Sequence, residues 1–342
     1  MGKLNWGISM LLAVSLVGLA GCSEQTSTRE KELEERVAEL EKQIAAYEKE
    51  EKEREQEEAE KKKEEEEQKP ITVEIVHPET KEVIKTFTPL ELGYGTKDSE
   101  FEKEIKTWAK EIARGTEQEE GYDQRMIPDR IGKDGQVIKG NPRVILEETE
   151  LLERVVEASE KGGTVELPLY KTESGYKPED VPTLGEAVVA TYTTYYNTNV
   201  AGRSKNIELS AEAINNVILG TGDIFSFNTT VGPSDKAHGY QEAEEAVNGK
   251  LVMGVGGGIC QTSSTLYNAI DKLGVKYVEH HNHSVNVGYV PKGRDATVSY
   301  GGVDFRFENT TGVPLLVKAT TKNGSLTVEI RTSKAYKKQL KN

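Results

Sequence analysis

Residues 254–267 have the sequence GVGGGICQTSSTLY, in which a glycine-rich turn runs directly into a stretch of helical character, with Cys260 at the junction. The first amide groups of a helix point at such a position and favour a negative charge, so a thiolate is stabilised there. The glycines allow a tight turn and leave room for a substrate. Unrelated acyl-transfer enzymes hold their nucleophile in this way, which makes Cys260 a candidate nucleophile. A lone cysteine is more often a small buried hydrophobic residue, and this alternative stays open.

The first 21 residues have the features of a secretion signal. A basic start precedes the apolar run at 11–19, which is too short for a stable membrane span, and small residues follow before Cys22. The segment Leu19–Cys22 (LAGC) resembles the lipobox of bacterial lipoproteins. This resemblance implies cleavage before Cys22, acylation of its thiol, and a location on the outer face of the cytoplasmic membrane, facing the cell wall. Cys260 would then be the remaining free cysteine, and an unpaired cysteine kept in an exported protein suggests that its reactivity is used.

Residues 22–70 are predicted to form a charged stalk that is either helical or disordered. Apolar residues recur there at coiled-coil spacing: Leu33, Val37, Leu40, Ile44 and Tyr47. The pattern lasts for only about two heptads, so the sequence allows at most a weak dimer through the stalk. Residues 48–69 are mainly Glu and Lys and have nothing to bury. The stalk is therefore interpreted as a spacer.

Composition and motif spacing exclude several classes of function. The net charge of −14 argues against nucleic-acid binding, because proteins that bind nucleic acid are basic. The glycines before Cys260 lack both the Gly-Lys-Ser/Thr ending of a phosphate loop and the spacing of a dinucleotide-binding fold. Cys260 and the histidines at 280, 281 and 283 are too loosely spaced for a typical zinc site. We therefore expect neither a metal nor another cofactor.

Residues 71–181 are predicted to form a small α+β accessory domain. A strand is expected at 71–76, an amphipathic helix through 101–112, a second helix at 147–159 and a strand at 164–170. The charged, proline-containing segment 174–182 is the expected linker. This order of elements resembles, weakly, the peptidoglycan-binding domains that precede wall cross-linking domains. The sequence identifies no binding residues in this part.

Ordered sequence blocks between residues 189 and 330 resemble the VanW family. The blocks are GDIFSFN (222–228), GYQEA (239–243), GGGICQTSSTLYNA (256–269), GRDATV (293–298) and DFRFEN (304–309). Two positions depart from the family pattern, which usually has Arg where His280 stands and Pro where Asn286 stands. Some domains of this type have been associated with L,D-transpeptidation of the cell wall. The resemblance therefore implies a wall-facing catalytic domain at 182–332, followed by a basic tail at 333–342.

The predicted fold of residues 182–332 is α+β. Helices Leu209–Leu219 and Gln261–Leu273 are expected to pack on a mainly antiparallel sheet. The alternation of apolar residues and the turn signals, including Asn323-Gly324 as a hairpin turn, indicate the sheet. Its expected segments surround Phe225, Val287, Val298, Phe305, Leu315 and Leu326.

An acyl-transfer site needs a nucleophile, a base, a group that orients the base, and donors for an oxyanion. His283 is the favoured base, because an ordinary imidazole pKa near ~6.5 suits proton exchange at neutral pH. It occupies the family's His-Ser block, and the alternation at 285, 287 and 289 indicates a strand leaving the site. His281 lies on the same face of that strand and is second, whereas His280 should face the other way. His238 is the remaining candidate.

The other site residues are less constrained by the sequence. Asp295 and Asp304 are the candidates for orienting the base, and turn capping or a surface salt bridge is the alternative for each. The turn at Gly258 would present the N–H of Cys260 or of Gln261 to an oxyanion. The candidates for binding a substrate carboxylate or amide are Arg203, Tyr240 and Arg294.

The leading functional hypothesis is a cysteine acyltransferase, namely an L,D-transpeptidase that acts on peptidoglycan stem peptides through a Cys260 thioester. One alternative is a cysteine peptidase or amidase that hydrolyses wall peptides at the same site. A second alternative is a peptidoglycan-binding lipoprotein without catalysis, in which Cys260 is structural. The sequence does not discriminate between transfer to an amine and transfer to water.

Overall fold

The computed structural model describes residues 25–67, 70–116, 118–247 and 250–340. The chain divides into two compact units, Met1–Pro70 and Ile71–Asn342. The predicted signal peptide and Cys22 lie outside the described residues. Within the described ranges, no helix combines the length and the apolar character that a membrane crossing requires.

The predicted stalk is a single helix, α1 (Gln25–Glu67), of 43 residues. At 1.5 Å per residue it is about 65 Å long. Its five coiled-coil positions are 49–72% exposed among the described residues, so these apolar side chains are not buried there. Its stability therefore rests on the helix propensity of Glu and Lys and on pairs such as Lys49–Glu53, whose Nζ–Oε1 distance is 3.7 Å.

The first part of the second unit contains two helices and seven short strands. In chain order its elements are β1 (Val73–Val76), β2 (Val83–Phe87), α2 (Asp98–Arg114), β3 (Arg130–Ile131), β4 (Val137–Ile138), β5 (Arg143–Leu146), α3 (Glu148–Ser159), β6 (Gly163–Glu166), β7 (Leu169–Thr172) and a 3-10 turn (Pro178–Thr183). β1 is the central strand of a small sheet, antiparallel to β2 and parallel to β6. Phe101 and Ile105 of α2 and Leu151 and Val155 of α3 are fully buried in one cluster with β1. The two predicted amphipathic helices are thus confirmed.

The second part carries the remaining elements. They are β8 (Ala187–Tyr195), α4 (Ala201–Ile214), β9 (Val217–Leu219), β10 (Ile224–Ser226), α5 (Phe227–Val231), β11 (Glu242–Val247), β12 (Lys250–Val255), α6 (Ile259–Ile270), β13 (Lys276–Glu279), β14 (Arg306–Glu308), β15 (Leu315–Lys322), β16 (Ser325–Thr332) and α7 (Lys334–Lys337), with 3-10 turns at Lys236–His238 and Asp271–Leu273. The predicted α+β class is confirmed.

The largest sheet has six strands in the order β4-β3-β9-β15-β16-β8, and its strand pairs are antiparallel. Asn323 and Gly324 connect β15 to β16 with φ values of 50° and 76°, which confirms the predicted two-residue hairpin turn. Helices α4 and α6 pack on this sheet and bury Ile207 and Leu266 in its main core. β3 and β4 come from the first part, so the sheet continues across the predicted linker.

The helix predicted at Leu209–Leu219 is wrong in its bounds. The observed helix α4 ends at Ile214, and Val217–Leu219 is the buried strand β9. The chain leaves the helical path at Asn215, whose ψ is 139°, and Asn216 follows in a left-handed conformation with a φ of 64°. The apolar residues that follow then pair with β15 instead of continuing the helix.

Two of the predicted strands, around Val287 and Val298, are absent from the structure. The described chain from residue 280 to residue 305 has no regular strand, and side-chain hydrogen bonds from α6 hold it at Arg294 and Ala296. At Ala296, side chains of Ser263 and Ser264 in α6 bond the backbone groups that a neighbouring strand would have paired, and the alternation in the sequence does not reveal this. The segments at Phe225, Leu315 and Leu326 are strands as predicted, and Phe305 directly precedes β14.

Candidate active site

The glycine turn places Cys260 in the first turn of α6. Gly258 is the residue before the helix and has a φ of 117°, a left-handed value that a side chain would strain. A Cβ atom at Gly257 would lie 2.6 Å from the carbonyl oxygens of both Ala243 and Glu244, because strand β11 passes directly over the turn. The buried side chain of Asn206, in α4, donates to the Gly257 carbonyl at 3.0 Å and fixes the turn from the other side.

Cys260 is exceptional within α6, because it is half-buried whereas every other residue of the helix is buried. Its thiol donates to the carbonyl oxygen of Val298 at 3.4 Å and lies 3.9 Å from the hydroxyl of Thr297. The sulfur lines a cavity of about 1060 Å³, together with His283 and Tyr289. A ligand in this cavity can therefore reach the thiol.

The Ser/Thr-rich sequence after Cys260 holds a second segment of chain against the helix. Ser263 Oγ donates to the carbonyl of Ala296 at 2.5 Å, and the N–H of Ala296 donates to Ser264 Oγ at 2.9 Å. One turn later, Asn268 donates to the carbonyl of Arg294 at 2.7 Å. These buried bonds fix residues 294–298 along α6, and this segment carries Asp295.

His283 and Asp295 form a tight pair beside the thiol. Nδ1 of His283 lies 2.7 Å from Oδ2 of Asp295, and the backbone N–H of His283 donates to the same oxygen at 2.6 Å. The side chains are only 7% and 6% exposed. Burial alone would lower the pKa of His283, but the neighbouring Cys260 and Asp295 outweigh it and raise the pKa. Because the carboxylate holds the proton on Nδ1, Nε2 is the nitrogen available to the thiol.

Asp295 is itself held by several donors. Asn282 donates to its carboxylate at 3.2 Å and to its carbonyl at 2.7 Å, and Nε2 of His280 lies 2.9 Å from the same carbonyl. Burial would raise the pKa of Asp295, but the hydrogen bonds from His283 and Asn282 prevail and lower it. The carboxylate is therefore kept ionised opposite the imidazole.

The other candidate bases lie in different surroundings. His281 is exposed and pairs with Glu279, with 3.3 Å between Nε2 and Oε1. The expected strand that would have put His281 and His283 on one face is absent, since β13 ends at Glu279. His280 stacks on Tyr267 with a centroid distance of 4.3 Å, and His238 pairs with a surface aspartate. Of the four histidines, the structure brings His283 to the cavity that Cys260 lines.

Asp304, the second candidate for orienting the base, makes structural hydrogen bonds instead. Its fully buried carboxylate accepts from Ser226 Oγ at 2.6 Å, from the N–H of Asn228 at 2.9 Å and from Arg125 at 3.1 Å. None of its hydrogen bonds within the described residues goes to His283. The capping alternative considered for this residue describes the observed contacts better than the orienting role.

Of the three candidate substrate-binding residues, only Arg203 lines the cavity. Its guanidinium donates to Oε1 of the buried Gln261 at 2.8 Å and lies 5.8 Å from the ring centroid of Tyr289. Tyr240 is buried in the main core, and burial raises its pKa to about 12. Arg294 is engaged at the far end of α6 by Asp271, at 2.8 Å. The expectation that Tyr240 and Arg294 bind substrate finds no support in these positions.

The two candidate oxyanion donors, the N–H groups of Cys260 and Gln261, differ in whether they already have an acceptor. The N–H of Gln261 donates to the carbonyl of Gly258 at 3.0 Å. The N–H of Cys260 has no acceptor in the described part of the chain, so it can serve an incoming oxygen. The Gln261 side chain instead anchors the site, donating to the carbonyl of Tyr195 at 3.0 Å.

Sequence reasoning missed three contributors: Asn206, Asn282 and Tyr289. Burial and the neighbouring Cys260 raise the pKa of the Tyr289 phenol, which therefore stays protonated as a donor within the cavity. Residues 203–207 (RSKNI) and 289–291 (YVP) also resemble the VanW family, and this resemblance was the available signal for Asn206 and Tyr289. Asn282 lies between the histidines and gave no signal. Within the described residues, no group of three or more His, Cys, Asp or Glu side chains is placed to hold a metal ion.

Comparison with known proteins identifies the region that contains this site. Residues 202–331 match the family model described as VanW like protein. Over 150 residues, the chain is 46% identical to the uncharacterized protein YoaR of Bacillus subtilis (strain 168). This alignment covers 44% of this chain and 50% of that protein. Over 111 residues, the chain is 32% identical to the vancomycin B-type resistance protein VanW of Enterococcus faecalis (strain ATCC 700802 / V583). This second alignment covers 31% of this chain and 40% of that protein.

The alignments thus span half or less of the length of these two relatives. No solved protein structure matches the chain significantly. Cys260, His283 and Asp295 all fall inside the matched region. Residues 202–331 of this chain form a VanW family domain.

Proposed function

We propose that this chain is a cysteine acyltransferase that cross-links peptidoglycan stem peptides as an L,D-transpeptidase. The observation that carries the proposal is that Cys260 and His283 line one cavity while the carboxylate of Asp295 bonds to Nδ1 of His283. This is the order of nucleophile, base and orienting carboxylate that thiol acyl transfer uses. The similarity to a vancomycin resistance protein supports a role at the cell wall.

The first half-reaction forms a thioester. Nε2 of His283 takes the Cys260 proton while the sulfur attacks the carbonyl carbon of meso-diaminopimelate, or an equivalent residue, in the donor stem. The N–H of Cys260 and the phenol of Tyr289 are positioned in the cavity to donate to the developing oxyanion. The carbon–nitrogen bond then breaks, and D-Ala leaves with the proton from His283.

The second half-reaction releases the product. A side-chain amine of a neighbouring stem attacks the thioester carbonyl and gives a proton to His283. The carbon–sulfur bond breaks, the new amide leaves, and the proton returns to the sulfur of Cys260. Water in place of the amine would give hydrolysis with the same residues, which makes a peptidase or amidase the alternative outcome.

The test uses the purified chain and muropeptide monomers with tetrapeptide stems, analysed by mass spectrometry. The proposal expects cross-linked dimers and free D-Ala, neither of which should form with Cys260→Ala. Shortened stems without dimers would assign hydrolysis instead. Unchanged monomers, together with retained binding to purified sacculi, would reduce the protein to a binding module.

We also propose that the protein is a lipoprotein anchored through Cys22 on the outer face of the cytoplasmic membrane. The support is the similarity of Leu19–Cys22 to a lipobox and the 43-residue helix that follows. The Cys22→Ala variant should lose incorporation of labelled palmitate and leave the membrane fraction. Unchanged labelling and fractionation of this variant would refute the anchor.

A further inference from the structure

A second cavity, of about 320 Å³, lies apart from the site described above. Four arginines line it: Arg114, Arg125, Arg143 and Arg306. None of them lines the Cys260 cavity. Its one acidic lining residue is Asp123, whose carboxylate already accepts from the N–H of Leu146 at 2.9 Å. Four arginines lining one small cavity are unexpected in a chain with a net charge of −14.

The arginines keep most of their hydrogen-bond donors free. Three have one acidic partner each, outside the cavity lining, at N–O distances of 3.1 Å for Arg125 with Asp304, 3.6 Å for Arg114 with Glu148 and 3.8 Å for Arg306 with Glu279. Arg143 has no side-chain partner within the described ranges of the chain. Each guanidinium has five N–H donors, so the four groups offer far more donors than these contacts use.

Arg306 adds an unsatisfied group. Its Nε atom is buried and has no hydrogen-bond partner among the described residues. Burial and the nearby positive charge of Arg125 lower the pKa of Arg306, so its charged form is under electrostatic strain. Buried donors in native proteins nearly always have an acceptor, and a missing one indicates an ion or water in the functional protein.

We propose that this arginine cavity binds an oxyanion, namely a phosphate or carboxylate group carried by a ligand. Guanidinium groups bind both anions through paired N–H···O bonds, which a planar fork matches in geometry. An anion here would face several guanidinium groups and bring negative charge to Arg306. The apolar side chains of Met126, Ile145 and Ile224 also line the cavity.

The experiment measures ligand binding to the full chain by calorimetric titration, with inorganic phosphate in one arm and acetate in the other. Ionic strength is held constant with sodium chloride in both arms, because exposed charges are screened by salt. Binding of phosphate alone would identify a phosphate-bearing ligand, and binding of acetate alone would identify a carboxylate. Absence of binding in both arms would overturn the proposal.

Three variants make the result specific. Arg143→Gln should weaken binding by about tenfold or more, because it removes charge-assisted hydrogen bonds while disturbing no existing side-chain pair. Arg143→Lys keeps the charge but not the fork and should weaken binding less. Arg36→Gln, the same change on the exposed helix α1, should bind like the parent chain. Equal affinity of the parent, Arg143→Gln and Arg36→Gln proteins would show a general ionic effect and refute the site.

Discussion

The Asp295→Asn substitution tests the arrangement around Cys260 most directly. Asparagine keeps the size of the side chain but removes the charge that faces Nδ1 of His283 at 2.7 Å. Because both side chains are at most 7% exposed, little solvent screening weakens their interaction. A charge-assisted hydrogen bond of this kind contributes about 1.5–3 kcal/mol, which corresponds to a factor of about 10 to 100. We expect the pKa of His283 to fall and alkylation of Cys260 at neutral pH to slow by that factor.

The assay follows iodoacetamide labelling of the Cys260 peptide by mass spectrometry from pH 5 to pH 9, which keeps it separate from Cys22. Titration of the His283 imidazole by NMR provides the second readout. Asp235→Asn is the matched control, because it changes another Asp–His pair with a 2.7 Å separation, whose side chains are more than half exposed. This control should label Cys260 at the parent rate.

The reasoning is refuted if Asp295→Asn labels Cys260 as fast as the parent chain at every pH while His283→Ala is slow. In that case His283 would act on the thiol without the help of the carboxylate. A parallel loss of folded structure, seen by circular dichroism, would assign the effect to folding instead of to the pair.

Three further predictions concern pH, packing and the phenol. The pKa of His283 is raised, so the protonated imidazole stabilises the fold fully below its ordinary pKa near ~6.5, and this stabilisation is lost as the pH rises through the raised pKa. Urea unfolding should therefore show a lower free energy of unfolding at pH 9 than at pH 6. The His283→Asn variant should lack this part of the pH dependence. Gly257→Ala should destabilise the domain by about 1–3 kcal/mol in urea unfolding, since the new methyl group meets two backbone carbonyls, whereas Gly293→Ala, where a Cβ meets nothing within 4 Å, should cost only its left-handed backbone strain. Tyr289→Phe should slow thioester formation by about tenfold or more with little change in folding stability, measured by single-turnover mass spectrometry; an unchanged rate would exclude the phenol from the oxyanion site.

Local sequence carried enough information to locate the candidate nucleophile and its helix. A run of glycines followed by hydroxyl-bearing and apolar residues predicts a tight turn and a helix start whatever the surroundings, and α6 begins one residue before Cys260. The choice of His283 among the four histidines agrees with the position of the imidazole in the cavity. Its catalytic role is a prediction that the experiments above test.

The carboxylate partner depended on tertiary structure. Asp295 and Asp304 are both buried aspartates outside regular secondary structure. Each stands two residues after a glycine and directly before an apolar residue, so their local sequences look alike. What separates them is the docking of residues 294–298 onto α6 by Ser263, Ser264 and Asn268, which no local pattern reveals. Arg294 illustrates the same limit, because its charge suggested a ligand whereas Asp271 on the neighbouring turn binds it.

The six-stranded sheet has a consequence for how the chain can be divided. Strands β3 and β4 cover the side of β9, and the N–H of Ile131 donates to the carbonyl of Asn216 at 2.9 Å. A fragment that starts at residue 182 would lack both strands and expose an unpaired edge of buried, apolar residues. Such edges template intermolecular pairing. The C-terminal part is therefore expected to aggregate when it is cut off at residue 182, and any exchange of modules between related proteins must include residues 130–138.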